Sequence, residues 1–290
     1  IMKTLENSQL SIKVSPHGAE LCSIFCNGIE YLWQADPQFW KRHSPVLFPI
    51  VGGVWENEYR HNGKKYSLSQ HGFARDMDFK ILSETSDEIW FGLSDNETTR
   101  LKYPFAFNLR IGYRIEGRKI YVMWKVHNPS QETVHFQIGA HPAFFYRDYS
   151  PETGGKGYFG FDRKDGLKYI LISEKGCADP ETEYPLSLSG GLLPINAHTF
   201  DRDALIFENS QIREVTLYDS EKKPYISLSF DAPVVGLWSP PAKNAPFVCI
   251  EPWYGRCDRA HFSGEYKDKD WIRHLEPDEE FSAEYIISII

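Results

Sequence analysis

The chain has 290 residues, 41% of them hydrophobic and 25% charged, a mix that excludes a mainly disordered chain. Lys and Arg number 32 against 40 Asp and Glu, a net charge of −8. With no long basic run, the electrostatic footprint of a nucleic-acid binder is missing. No window approaches 18 consecutive apolar residues, so no helical membrane span is expected.

Short β-prone runs broken by turn residues dominate the chain. Leu10–Val14 alternates strictly, and Leu21–Phe25 follows the turn-like Ser15-Pro16-His17-Gly18. Asn27-Gly28 sets Ile24-Phe25 against Ile29–Trp33 as a hairpin. Asp36–Arg42 is expected to form a short helix, with Asp36 as N-cap and Pro37 in its first turn. Strands are then expected at Ile89–Leu93, Phe107–Ile115, Ile120–His127 and Val134–Ile138, with Glu116-Gly117-Arg118 as a tight connection. Tyr149–Gly191, rich in glycine, reads as long loops or an insertion. Further strands fall at Val215–Tyr218, Tyr225–Phe230, Phe247–Ile250 and Phe281–Ile287, and a second short helix at Lys267–His274. Many short strands and few helices predict an all-β fold, a sandwich or barrel of antiparallel sheets, in one domain over residues 1–290.

Five cysteines, Cys22, Cys26, Cys177, Cys249 and Cys257, form no Cys-x-x-Cys pair. Sparse unpaired thiols and the lack of an apolar leader after Ile1-Met2 point to a cytoplasmic protein. His71, His141 and a carboxylate are conceivable metal ligands. No local His-x-His or His-Glu-x-x-His supports one, so no metal is expected. No nucleophile elbow and no nucleotide-binding fingerprint is present.

Three segments join ionisable groups to constrained backbone: Gln70–Arg75, Gly139–Phe144 and Phe247–Trp253. In the third, an uncharged run ends on Glu251, and Pro252 is expected to stop the strand. A carboxylate beside Trp253 and Tyr254 would be partly desolvated, which raises its pKa and suits a base near neutral pH. In the second, His141 arrives at a proline-fixed turn, and an imidazole there can give or take a proton near pH 7. Taken singly, each has an ordinary structural reading: a satisfied polar histidine, a turn carboxylate, and a surface ion-pair partner in Arg75. Trp33, Trp40, Trp55, Trp238 and Trp253 are candidate stacking surfaces that the sequence cannot sort.

With Arg42–Gly52 and Asp203–Phe207, these segments form an ordered set. That set resembles the galactose mutarotase (aldose 1-epimerase) superfamily from about Leu10 to the C-terminus, most closely its LacX branch. The resemblance implies a large antiparallel β-sandwich with few short helices and a sugar on one concave face. It implies Glu251 as general base and His141 as general acid, with His71 and Asp203 binding substrate and no cofactor; Arg75, Arg42 and Trp253 are the further candidate substrate-binding residues. Asp201, two residues from Asp203, competes for the same assignment. The implied partner is a small sugar or sugar phosphate, with no nucleic acid and no membrane, and the protein a monomer or homodimer.

The match departs from the galactose-specific pattern in two places. Val54-Trp55-Glu56-Asn57 stands where an Asn-Arg pair is common, and Trp253 where a polar residue follows Glu-Pro. Arg42 and Arg75 fall where hexose-6-phosphate epimerases place arginines, although their Gly-Gly is His43-Ser44 here. The alternatives are therefore a sugar-phosphate epimerase with a two-arginine clamp or a non-catalytic carbohydrate-binding protein.

Overall fold

A computed structural model describes residues 1–152 and 154–290. Two antiparallel sheets dominate. The larger has nine strands, in the order Leu192–Pro194, Tyr158–Phe161, Glu214–Tyr218, Pro224–Phe230, Glu280–Ile289, Lys119–His127, Asn108–Glu116, Glu88–Ser94 and Lys80–Glu84. The other runs Ile138–Gly139, Phe247–Tyr254, Val234–Trp238, Leu205–Phe207, Lys168–Glu174 and Cys177–Pro185, with Ala143–Phe145 also paired to Phe247–Tyr254. A four-stranded sheet, starting at Lys3–Glu6 and ending at Ile29–Glu30, and two hairpin-sized pairs complete the β-structure. This is the antiparallel β-sandwich that the sequence predicts.

The period-two alternation explains how the layers meet. In Lys119–His127, Ile120, Val122, Trp124 and Val126 are buried while their neighbours are half-exposed or exposed. In Asn108–Glu116 the same face carries Leu109, Ile111, Tyr113 and Ile115. These side chains join Val235, Leu237, Val248 and Ile250 of the seven-stranded sheet in one core. Phe247–Tyr254 is different, because seven of its eight residues are buried. It is central, paired with Val234–Trp238 on one side and with Ile138–Gly139 and Ala143–Phe145 on the other. One of its faces meets the core between the sheets, and the other carries the candidate site.

Several expectations are corrected. Asp36–Arg42 forms only a turn: the Asp36 carboxylate accepts from Gln38 N at 2.9 Å, and no helix propagates beyond it. Lys267–His274 is a 3₁₀ turn, Tyr266–Asp268, followed by the strand Arg273–Leu275, because His274 is drawn into register with His135. Tyr149–Gly191 is loop only in part; it also supplies the strands Tyr158–Phe161, Lys168–Glu174 and Cys177–Pro185 to the two large sheets. Val134–Ile138 divides between two sheets. Pro252 does not stop its strand: it forfeits one N–H, its carbonyl accepts from Ala140 N at 3.0 Å, and pairing continues to Tyr254. The only α-helix among the described residues, Glu97–Lys102, went unread. Its capping box joins Asn96 and Thr99. No helix among them is long and apolar enough to cross a membrane.

The cross-strand pair His135 and His274 places Nδ1 against Nδ1 at 2.6 Å. Burial first, and then the nearby His274 and His61, push the His135 pKa down to about 4. Lys267 adds to this and Asp268 opposes it. An unfolded histidine takes its proton near pH 6.5, so between there and pH 4 the unfolded chain binds more protons than the native one. Stability is therefore expected to fall with pH across that window, by on the order of 2 kcal/mol from this group. Urea unfolding at pH 7 and pH 4.5 measures it. The loss should shrink in His135→Gln, and an equal loss in the variant would remove His135 as a cause.

Candidate active site

A cavity of about 290 Å³ opens on the outer face of the seven-stranded sheet, lined among others by Glu251, His141, His71, Asp203, Trp253 and Arg75. Strand geometry brings the first of these there. Cys249, Glu251 and Trp253 alternate onto one face, opposite Trp238, Gly236 and Val234 of the next strand. Glu251 thus sits in mid-strand and only 1% exposed, not at a strand end. The Trp253 indole lies across the sheet, its Nε1 donating to Ala140 O at 3.2 Å beside His141. A Cβ at Gly236 would fall 2.5 Å from Trp253 Cη2, so only glycine leaves room for that ring.

His141 Nε2 is 3.3 Å from Glu251 Oε2. Its ring stacks on Trp40 (centroids 4.8 Å apart) and meets Trp238 edge-on at 5.4 Å. Burial drives the Glu251 pKa well above the usual carboxylate range, helped by the charge of Asp203. Burial likewise pushes His141 well below the usual imidazole value. Both shifts favour the uncharged form of each group, and two groups this close titrate as a unit.

His71 approaches from the loop after Leu68. Its backbone has φ +66°, a left-handed conformation unusual for a side chain of this size. Reciprocal bonds hold it there: His71 N donates to Gly52 O at 2.8 Å, and Gly52 N donates to His71 Nδ1 at 2.9 Å. An Nδ1 that accepts leaves the proton of the neutral ring on Nε2. Burial and then His141 keep that ring neutral. Gly52 has φ +69°, and a Cβ there would meet Cys257 Cβ at 2.5 Å. Asp203 is, after His71, the second non-glycine residue of the lining in a left-handed conformation, at φ +71°. Such strain gathers where a site is over-determined by its surroundings. Asp201, by contrast, faces away and bonds His198 Nδ1 at 2.9 Å.

The two arginines separate. Arg75 lines the cavity; its Nη2 donates to Gln70 O at 2.9 Å, and its buried Nε has no hydrogen-bond partner among the described residues and lies 3.9 Å from Asp76 Oδ2. Burial and the charge of Arg42 lower its pKa to about 10. Arg42 lies off the lining, and its guanidinium donates to Asp76 at 2.9 and 3.4 Å. A clamp of both arginines is therefore not assembled in this structure. Of the five tryptophans, Trp40, Trp238 and Trp253 line the cavity, while Trp33 is packed beneath on Phe247. Trp55 lies in a neighbouring depression. Trp40 and Trp238 gave no signal in sequence beyond being aromatic. Pro241 and Ile172 gave none at all.

A polar frame holds the rim from below. Lys269 and Asp258 form a buried pair at 2.8 Å, and the other Asp258 oxygen accepts from Trp55 N at 2.9 Å. Arg256 donates to Glu208 at 2.9 Å, to Asp270 at 2.6 Å and to Cys257 O at 2.8 Å. Trp271 Nε1 donates to the same Glu208 carboxylate. This frame sets Cys257 against Gly52, and through Gly52 it sets His71.

A family model described as aldose 1-epimerase matches residues 2–288. Protein LacX of Lactococcus lactis is 28% identical, the match covering 99% of this chain and 98% of that protein. A galactose mutarotase related enzyme from Lactobacillus acidophilus superimposes with a TM-score of 0.94 at 35% identity, covering 100% of this chain and 97% of its own. A galactose mutarotase-like protein from Lactobacillus casei gives 0.93 at 29%, with both chains fully covered.

Removing one partner of a buried ion pair strands the other charge. Lys269→Met is expected to cost about 3–5 kcal/mol, and adding Asp258→Asn should recover much of it. Chemical denaturation of the two variants tests this, and a loss below about 1 kcal/mol in Lys269→Met would show that the pair does not hold the rim.

Proposed function

The chain belongs to the aldose 1-epimerase family, and from that premise we propose that it interconverts the α and β anomers of an aldose by acid/base ring opening. The observation that carries this reading is the 3.3 Å contact between His141 and Glu251 in the cavity. Anomer exchange needs one proton removed from the hydroxyl on C1 and one delivered to the ring oxygen. Both oxygens are bonded to the same carbon, so an acid and a base in mutual contact can address them together.

The reacting form is the one with the shared proton on His141: Glu251 then takes the hydroxyl proton, and His141 delivers its proton to the ring oxygen as the bond from C1 to that oxygen breaks. The electron pair of that bond stays with the ring oxygen, and C1 becomes an open-chain aldehyde. Rotation about C1–C2 presents the other carbonyl face. Closure returns both protons, with the two groups exchanging roles. Because the pair holds a single proton, net charge in the pocket is the same before and after each transfer. That is the condition a buried site favours. His71 offers an Nε2–H donor to a sugar oxygen, and Asp203 accepts from hydroxyls. Trp40 and Trp238 keep water from the imidazole.

Sugar-phosphate substrates form the second reading. The observation in its favour is the Arg75 guanidinium on the cavity lining, whose buried Nε makes no hydrogen bond and only a long 3.9 Å contact with Asp76. Against a strong form of it stands Arg42, which is committed to Asp76.

Glu251→Gln and His141→Asn are each expected to slow anomer exchange by about 10²–10⁴-fold with little change in unfolding midpoint. Exchange NMR on glucose, galactose and their 6-phosphates reads it. Full activity in Glu251→Gln would end the mechanism, and tight sugar binding without exchange in the wild type would favour a binding protein. On the phosphate reading, Arg75→Gln should raise KM for the 6-phosphates at least ~10-fold more than for the free sugars, each tenfold being about 1.4 kcal/mol. Equal effects on both would retire that reading.

A further inference from the structure

The face of Phe247–Tyr254 that carries Glu251 also carries Cys249, two residues earlier on the same side. The proposed reaction has no use for that thiol. Yet a His141 ring nitrogen, a Glu251 carboxylate oxygen and Cys249 Sγ all lie within 4.8 Å of one another, on three buried residues. We propose that these three side chains bind a thiophilic divalent cation, of which zinc is the type, and that the cation inhibits the enzyme reversibly. The inhibitory half rests on His141 and Glu251 being the proton-transfer pair; the binding half does not.

The geometry suits such an ion. Zinc bonds of about 2.0–2.2 Å to nitrogen and oxygen, at tetrahedral angles, set those two ligands roughly 3.4 Å apart. His141 Nε2 and Glu251 Oε2 are 3.3 Å apart. The sulfur lies within 4.8 Å of both, so a shared metal, which sets sulfur roughly 3.6 Å from the other two ligands, requires a shift of about an ångström. Binding releases two protons to solvent, one from the Cys249 thiol, which burial and Glu251 hold protonated, and one from the Glu251–His141 pair; the thiolate and carboxylate left behind cancel the dication, so the complex adds no net charge to a buried place. Imidazole and thiolate favour zinc, cobalt or copper over magnesium and calcium. The cavity side leaves a fourth position open, where a sugar oxygen would otherwise sit.

One feature limits the affinity. His141 Nδ1 has no hydrogen-bond partner. A metal-bound imidazole is normally held by a bond from its second nitrogen, and losing that support costs roughly 10–100-fold. The trio therefore fits a reversible inhibitor better than a resident ion. The other candidate ligand set, Glu20, Cys22 and His43, is weaker. Glu20 Oε1 already accepts from His43 N at 2.8 Å and Ser44 N at 3.0 Å. The His135–His274 pair has no sulfur.

Cobalt(II) is the probe, because a thiolate ligand adds a charge-transfer band in the near ultraviolet. The wild type is expected to develop that band on titration. Cys249→Ala and Cys249→Ser should lose it, and Cys22→Ser should keep it. In parallel, zinc is expected to inhibit anomer exchange, with relief at high sugar. Cys249→Ala should raise the zinc inhibition constant at least ~10-fold while leaving metal-free exchange within about twofold of wild type. No thiolate band in the wild type overturns the proposal, as does a band that survives Cys249→Ala or zinc inhibition that is equal in both proteins. A band that follows Cys249 in a protein that accelerates no sugar upholds the cation site and overturns only the epimerase reading.

Discussion

The structure turns on a carboxylate in the middle of a buried strand. Glu251 pairs with Gly236 on one side, faces the break between Ile138–Gly139 and Ala143–Phe145 that holds His141 on the other, and is all but sealed from solvent. A lone ionised carboxylate in such a place would cost several kcal/mol. What surrounds it follows from that constraint. His141 must be close enough to share a proton, and two indoles must shield the imidazole. The strand opposite must offer glycine at Gly236 so that Trp253 can lie flat.

Two loops complete what the sheet begins. His71 and Asp203 both adopt left-handed backbone conformations, and neither would hold one in isolation. His71 is kept there by its paired bonds to Gly52, and Gly52 by its contact with Cys257. The loop carrying Cys257 is in turn pinned by Arg256 and Lys269 with their buried carboxylates. Because each of these charges is matched, the network specifies one position for the loop at little net energetic gain. Positional precision at His71 is thus supplied by residues well outside the cavity.

Family membership and local chemistry answer different questions. The family defines a carbohydrate-epimerase frame; the residues around the rim decide which sugar fits. Here Trp40, Trp238, Trp253, Ile172 and Pro241 stand around the polar groups Gln70, His71, Arg75, His141, Asp203 and Glu251.

The sequence by itself determined the layer architecture. Alternation in Leu10–Val14, Phe107–Ile115 and Ile120–His127 is local, and a two-residue period imposes a half-buried strand wherever it occurs. It also marked the ionisable segments, because constrained backbone beside His71, His141 and Glu251 is visible in neighbouring letters. Tertiary structure alone decided the rest. Part of Tyr149–Gly191 became sheet because neighbouring strands supplied partners that its own glycine-rich sequence does not announce. Lys267–His274 gave up its helix to pair with a strand some 140 positions earlier. Asp203 rather than Asp201, and Arg75 without Arg42, reach the cavity through turn geometry and a competing ion pair, neither of which leaves a trace in residue type. Burial and proximity between distant segments are properties of the folded chain, and the protonation of His141 and Glu251 depends on both.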